Sequence, residues 1–262
     1  TQIGTGNYNE TTSKIYTDFS LMTASREIGE DAVMFFQNIT MFNLSGVYNH
    51  LLVSPTSLKS TILDKIKNEI RKAENGQSCG IFMKMNSLTD RDVINALKDA
   101  SVAGVPVFLL IRGICCIRPG VEGKTENIHI ESIVGRFLEH TRIYLFGDIS
   151  DVSQQWDIDL YISSADMMTR NTERRIEVAV PVYDNDIKNR ILKIIEVLKK
   201  DNVNAQVLLS NDEYTEKNHE MQRFDSQEFL LSYYKSHEPS PVLRQNNVLL
   251  DKLKSILNKR HP

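Results

Sequence analysis

The chain has 262 residues, 41% hydrophobic and 25% charged, with 31 basic against 34 acidic side chains and a net charge of −3. That is globular composition, enough for one large or two medium domains. It excludes a protein drawn to polyanions by its overall field, so any phosphate site has to be local. No apolar run reaches the ~18 residues of a membrane span, and no secretory signal is expected.

The three cysteines, Cys79, Cys115 and Cys116, have no metal-ligand spacing. Adjacent Cys115 and Cys116 are poor disulfide partners, which points to reduced thiols and a cytoplasmic protein. Residue 1 is Thr, and Gln2-Ile3 runs straight into the turn Gly4-Thr5-Gly6-Asn7. A piece of a longer protein is expected.

In chain order, Ile15–Leu21 alternates and is β-branched and aromatic, which predicts a strand. Ser25 is placed to cap a helix that carries Ile28, Ala32, Phe35, Phe36 and Ile39 on one face. Residues 41–50 have no clear period and mark a boundary. Leu51–Val53 predicts a strand, and Ser54-Pro55 a cap and first helical position. The helix to about Ala73 repeats Leu58, Ile62, Ile66 and Ile70, with Gly76 just past its end.

Gly80–Met85 reads as a strand and Asp90 to about Ala100 as a helix with Val93, Leu97 and Ala100 inward. Val105–Ile111 is a continuous apolar run of the kind covered on both faces. Residues 112–126 form a loop, and 127–139 predict a strand and then a short helix. Strands follow at Ile143–Phe146, Leu160–Ile162 and Ile176–Val182. Asp184 caps a helix bearing Ile187, Ile191, Ile194, Ile195 and Leu198, and Val203–Leu209 is a last strand. Further helices are expected within 226–236 and 246–258. Alternating helices and strands with mixed pairing make the chain α/β.

Sliding the chain by 159 positions brings two segments into register without a gap. Ile3 meets Ile162, Gly4-Thr5-Gly6-Asn7 meets Ser163-Ser164-Ala165-Asp166, Asp18 meets Glu177, and Ser25 meets Asp184. The order of strand, small polar turn, acid-bearing strand and capped helix is the same, which predicts a duplicated unit whose first copy is cut short. The twin of His140 falls upstream of residue 1.

Several residues have the chemistry of a phosphate site. An imidazole can attack phosphorus or donate a proton to a leaving oxygen, and cations and backbone N–H groups stabilise the transferring charge. His140 is such an imidazole; equally, it is a histidine satisfied by a neighbour. Arg112 ends the buried strand Val105–Ile111, where open α/β sheets bind ligands, and it can clamp a phosphate or join a surface ion pair. Tyr8 follows the Gly-rich turn and can stack on a base or sit in an interface. That turn is not a P-loop, since Gly-Lys-Ser/Thr is missing. Asp18 and Glu177 lie in apolar strands and need partners, either site histidines or arginines. Arg170, Arg174 and Arg175 offer one phosphate ligand at most, or a solvated face. Asn7, Arg142, Ser164, Arg170, Asp18 and Glu177 are the candidates for support of the phosphate site.

Four blocks carry a resemblance: Ile3–Asn9 with Tyr16-Thr17-Asp18, Ile111–Cys115 with Arg118-Pro119-Gly120, Ser132–His140, and Ser163–Asn171. Together they resemble the C-terminal half of bacterial polyphosphate kinase of the long-chain-synthesising type, over about residues 1–210. The resemblance implies phospholipase-D-like domains: a mixed sheet flanked by helices. Residues 1–45 would close a first domain, 46–237 form a second, and 238–262 make a helical tail.

The resemblance also implies reversible transfer of the terminal phosphate of ATP to inorganic polyphosphate through a phosphohistidine. His140 matches the second catalytic histidine, and Tyr8, Arg112 and His140 match nucleotide-site positions. The first copy's His-x-Lys motif is absent, as are the arginines linked to magnesium. No metal ligand is therefore expected in this chain, Mg2+ being held mainly outside it, and the chain alone is expected to be inactive. Met167 stands where the family often has tryptophan. ATP/ADP and polyphosphate are the implied partners, with no nucleic acid. A homo-oligomer in the full-length protein and a cytoplasmic place, compatible with peripheral association at the inner membrane, follow from the same resemblance.

Two alternatives remain open. A phospholipase-D-like phosphodiesterase or nuclease wants His-x-Lys with a downstream acid and Asn in each copy; here Arg142 replaces Lys and Asp166 replaces Asn. A non-catalytic polyphosphate or nucleotide binding module is the other.

Overall fold

The chain opens on three short strands. In the computed structural model, which describes residues 1–148, 158–217 and 222–236, they are β1 (Gln2–Gly4), β2 (Tyr16–Thr17) and β3 (Ser20–Met22). β1 and β3 pair antiparallel. The single strand expected over 15–21 is broken because β2 pairs elsewhere. At the break the Phe19 amide donates to Thr5 Oγ1 instead of to a ladder partner. Helix α1 (Arg26–Thr40) starts where Ser25 Oγ accepts from the Ile28 amide. Ile28 and Ala32 are buried, but Phe36, expected on the inward face, is 66% exposed.

The next elements are β4 (Leu52–Ser54), α2 (Leu58–Glu74), β5 (Ile81–Met85), α3 (Arg91–Val102) and β6 (Val107–Ile111). Helix α2 begins later than Pro55, which follows a cis peptide. Val53 O accepts from the Ser57 amide, so residues 55–57 turn before the helix starts. Gly76 closes it at φ +67, a conformation that costs glycine little. Asp90 Oδ1 caps α3 by accepting from the Asp92 and Val93 amides.

Strands β7 (Ile128–Ile133), β8 (Leu138–Glu139), β9 (Arg142–Phe146) and β10 (Asp159–Ser163) follow. The short helix expected before residue 139 is absent, because that stretch becomes β8 and pairs parallel with β2. The rest is α4 (Thr169–Glu173), β11 (Glu177–Pro181), α5 (Asn185–Lys200), β12 (Ala205–Leu208), β13 (Tyr214–Glu216) and α6 (Ser226–Ser236). α4 and β13 have no counterpart among the elements expected from the sequence. The helix expected in 246–258 and the tail 238–262 lie outside the described residues.

Nine strands form one sheet in the order β13-β12-β7-β6-β5-β9-β10-β11-β4. β5, β6 and β7 are parallel and the other pairs antiparallel. This is the expected α/β architecture, a mixed sheet flanked by helices. Leu58, Ile62 and Ile66 of α2 and Val93 and Leu97 of α3 have no exposed surface. They pack in one core with Ile81, Met83 and Met85 of β5. Full burial of each such side chain contributes roughly 1.5–3 kcal/mol. Side chains alternate along a strand, so Phe82 and Lys84 face the other side. The chain divides into two compact units, Thr1–Asp225 and a second from Ser226 onward, of which α6 is the described part. Among the described residues no helix is long and apolar enough to cross a membrane.

The internal repeat recurs bond for bond. β1–β3 pairs Ile3 with Leu21 and Gly4 with Ser20; β10–β11 pairs Ile162 with Val180 and Ser163 with Ala179, each the same 159 positions on. Thr5 N donates to Phe19 O at 2.9 Å, and Ser164 N to Val178 O at 3.0 Å. Thr5 Oγ1 donates to Asp18 and Ser164 Oγ to Glu177. Each hydroxyl also accepts the amide of the residue after its acid. Asp184 caps α5 through the Ile187 amide, as Ser25 caps α1 through that of Ile28.

Candidate active site

His140 follows β8, directly across the β2–β8 pairing from the first copy. Its amide lies 3.3 Å from Thr17 O. The ring stacks on Tyr16 with centroids 4.6 Å apart and planes 15° from parallel. Nδ1 lies 2.9 and 3.1 Å from the two Asp18 oxygens. The ionised carboxylate only accepts, so a neutral imidazole carries its proton on Nδ1 and presents the Nε2 lone pair. The acid of one copy thus orients the histidine of the other.

Arg142 completes this neighbourhood. Its Nη1 lies 2.9 Å from His140 Nε2 and 3.2 Å from Nδ1. An atom that close to both nitrogens within the ring plane would collide with Cε1, so Nη1 sits over the ring face. The guanidinium is otherwise committed. Nε and Nη2 donate to the two Asp166 oxygens at 3.3 and 3.1 Å, and Nη1 donates to Thr5 O at 3.1 Å.

Asp166 also accepts from the Asn86 and Ser87 amides at 2.7 and 3.4 Å. Burial pushes its pKa up, but the hydrogen bond and charge of Arg142 and the Asn86 donors outweigh burial and hold it below the usual value. Arg142 is therefore a buried, fixed cation beside His140, and not one free to swing onto a ligand.

Arg112 leaves the end of β6 and donates from Nε to Glu139 O at 3.0 Å. That places its guanidinium one residue from His140, with both Nη groups unbonded among the described residues. Asn7, Tyr8, Tyr16 and Asp18 line an open groove of about 480 Å³. Tyr8 is 77% exposed, and its hydroxyl accepts from Gln2 Nε2 at 2.9 Å. Asn7 makes no side-chain bond to the described residues. The groove meets His140 through Tyr16 and Asp18.

Ser164 and Glu177 form the twin arrangement in the second copy. Glu177 takes Ser164 Oγ and, at 2.7 Å, Asn171 Nδ2, while Asn171 Oδ1 is buried without a partner among the described residues. Arg170 is exposed on α4. No three His, Cys, Asp or Glu side chains among the described residues converge as a cation site. The acids here are already engaged, so they do not fit a magnesium site of their own.

Sequence reasoning missed Lys84, Glu139 and Thr17. Lys84 is 1% exposed. Its Nζ lies 3.1 Å from Glu139 Oε2 and donates to Thr141 O and Oγ1. The one available signal was a lysine inside the apolar strand Ile81–Met85.

Residues 51–227 match the family Polyphosphate kinase C-terminal domain 2, and residues 1–45 match Polyphosphate kinase C-terminal domain 1. The chain is 46% identical over 231 residues to the polyphosphate kinase of Staphylococcus saprophyticus, covering 87% of this chain and 31% of that one. It is 46% identical over 206 residues to that of Klebsiella pneumoniae, covering 79% and 29%. The crystal structure of polyphosphate kinase from Porphyromonas gingivalis superposes with a TM-score of 0.82 at 34% identity, over 90% of this chain and 36% of that one. The chain thus spans about a third of the length of the relatives it matches. With two adjoining domain matches and this structural agreement, the chain belongs to the polyphosphate kinase family.

Proposed function

We propose that this chain is the C-terminal part of a polyphosphate kinase that transfers the terminal phosphate of ATP reversibly to inorganic polyphosphate through a phosphohistidine. The observation that carries the reading is the Asp18–His140 pair. An acid from the first copy fixes the Nδ1 proton and leaves Nε2 for chemistry. His140 acts as the acid–base histidine: protonated at Nε2, it donates to the oxygen that leaves phosphorus, and in the reverse direction it takes the proton back. The nucleophilic histidine lies in sequence outside this chain. The register of the repeat supports an equivalent orienting part for Glu177 toward that histidine.

Arg112 meets the charge of the phosphates with its unbonded Nη groups, and Tyr8 offers its exposed ring beside the groove to the nucleotide. Magnesium, held mainly by residues outside this chain, would offset phosphate charge. Arg142 supports the site from beneath as a fixed side chain. That disfavours the phosphodiesterase reading, which needs a cation free to bind the diester.

The test is His140→Ala in the complete enzyme. Turnover falls by about 10²–10⁴-fold, the usual contribution of a positioned acid–base, while nucleotide binding measured by calorimetry persists. Turnover within twofold of the parent enzyme overturns the role. The 262-residue chain alone gives no polyphosphate from ATP, and synthesis by it would show that the nucleophile lies within it.

A further inference from the structure

The two copies meet at a very small seam. β2 and β8 share two residue pairs, Tyr16 with Leu138 and Thr17 with Glu139. That seam, together with the Arg142 bond to Thr5 O, sets whether Asp18 reaches the imidazole of His140. A two-residue parallel pairing is weak by itself, so something else has to hold it. Behind it sits Lys84 in the centre of the nine-stranded sheet, facing away from the α2–α3 layer.

Lys84 Nζ grips the residues on both sides of His140. It lies 3.1 Å from Glu139 Oε2 and 3.2 Å from Thr141 O, and it also bonds Thr141 Oγ1. The same Glu139 oxygen accepts from Thr17 Oγ1 at 3.0 Å, which is the residue before Asp18. The Glu139 carbonyl accepts from Arg112 Nε. One ammonium and one carboxylate therefore tie together Thr17 of the first copy, the flanks of His140 in the second, and, through the Glu139 backbone, Arg112.

We infer that Lys84 and Glu139 are positioning residues, which hold the seam so that Asp18 stays on His140 Nδ1 and Arg112 stays beside it. The inference rests on the acid–base reading of His140. Stability is a poor reason to keep such a pair, since an apolar pair of similar volume often does as well in a buried setting. Burial indeed pushes the Lys84 pKa down, with Glu139 opposing and Arg142 adding to the shift. What an apolar pair cannot supply is direction, meaning hydrogen bonds aimed at residues 139 and 141 at once. Lys84 and Glu139 bond the neighbours of the imidazole, and both act through them.

The test uses Lys84→Met/Glu139→Gln, which removes both charges together, and Glu139→Gln alone, which keeps the shape. Lys67→Met, at an exposed lysine of α2, is the control. In the 262-residue chain, nitrogen NMR at a pH where the imidazole is neutral reads the His140 tautomer. In the complete enzyme, steady-state kinetics separate kcat from KM.

The expected result is loss of the Nδ1–H tautomer in both variants. kcat should fall about a hundredfold, the scale of an ångström-level misplacement, with the KM for ATP little changed and the control like the parent. A folded double variant with the parent tautomer and parent kcat overturns the inference, whatever happens to its melting temperature. If the double variant does not fold, a parent tautomer in Glu139→Gln overturns it equally. Retained turnover in His140→Ala would instead overturn the acid–base reading and leave the tautomer result standing.

Discussion

Asp166→Ala tests whether Arg142 is a fixed side chain or a free cation. The Arg142 and Asp166 side chains are 8% and 9% exposed, so the substitution strands a guanidinium away from water. Breaking a buried ion pair from one side costs about 3–5 kcal/mol. The Asn86 amide also loses its 2.7 Å acceptor, and an unsatisfied donor costs about 1–3 kcal/mol. These terms overlap, so a loss of about 4 kcal/mol is expected, or roughly 10 °C in Tm for a domain of this size. Urea unfolding followed by far-UV circular dichroism measures it. Arg142→Met/Asp166→Leu should lose less than Asp166→Ala, because no charge is stranded.

The pH dependence has a definite sign. The folded carboxyl titrates below its unfolded value of about 3.9. Its contribution is fully present above that value and is lost as pH falls through the lower folded value. The deficit of Asp166→Ala should therefore shrink below about pH 4. A deficit under about 1 kcal/mol at pH 7, or one of equal size in acid, would refute the reasoning.

Two more predictions concern other parts of the fold. A Cβ added at Gly6 would land on the Asp18 carboxylate, although its twin Ala165 already carries one. Gly6→Ala should therefore displace Asp18 and abolish the His140 Nδ1–H resonance with the far-UV spectrum unchanged; survival of that resonance refutes the Asp18–His140 geometry. Cys116 is exposed while Cys115 is part-buried, and burial pushes the Cys115 thiol up. The thiolate is the reactive form, so a thiol reagent near neutral pH should label Cys116 first and Cys115 only as pH rises; equal rates, read by fragmentation of the labelled peptide, refute the placement.

Local features were legible in the sequence because their causes are local. Ser25 and Asp184 act as caps since the amides they satisfy lie three residues on. The repeat was legible because the same small hydroxyl, acid and cap recur in order. What stayed hidden depends on residues distant in sequence. The break after Thr17 exists because β2 pairs with β8, and the helix expected before residue 139 is missing for the same reason. Phe36 has the helical period of an inward residue, yet period alone does not say what covers a face. Lys84 breaks an apolar strand, but its partners Glu139 and Thr141 belong to another part of the chain. His140 was visible as an imidazole. The acid on its Nδ1 and the cation over its ring were not visible as such, since nothing in the spacing of Asp18, His140 and Arg142 aims them at one another.

The two copies share a scaffold and differ in how it is charged. Thr5 and Ser164 each pin an acid by hydroxyl and amide alike. Asp18 then turns to an imidazole of the other copy, whereas Glu177, one methylene longer, turns to Asn171 of its own. The sharper difference is Asn7 against Asp166. Asn7 lies exposed at the groove with no side-chain bond to the described residues. Asp166 is buried and neutralises Arg142. Asparagine at 166 could still accept one hydrogen bond but would leave the guanidinium charge uncompensated and able to leave the ring. With aspartate there, the nearest cation to His140 is held and already paired. On the proposed reading, phosphate charge arriving at this half is met by Arg112, whose Nε bonds the residue before His140. In that reading the carbonyl of Glu139 links the group that meets charge to the group that moves a proton.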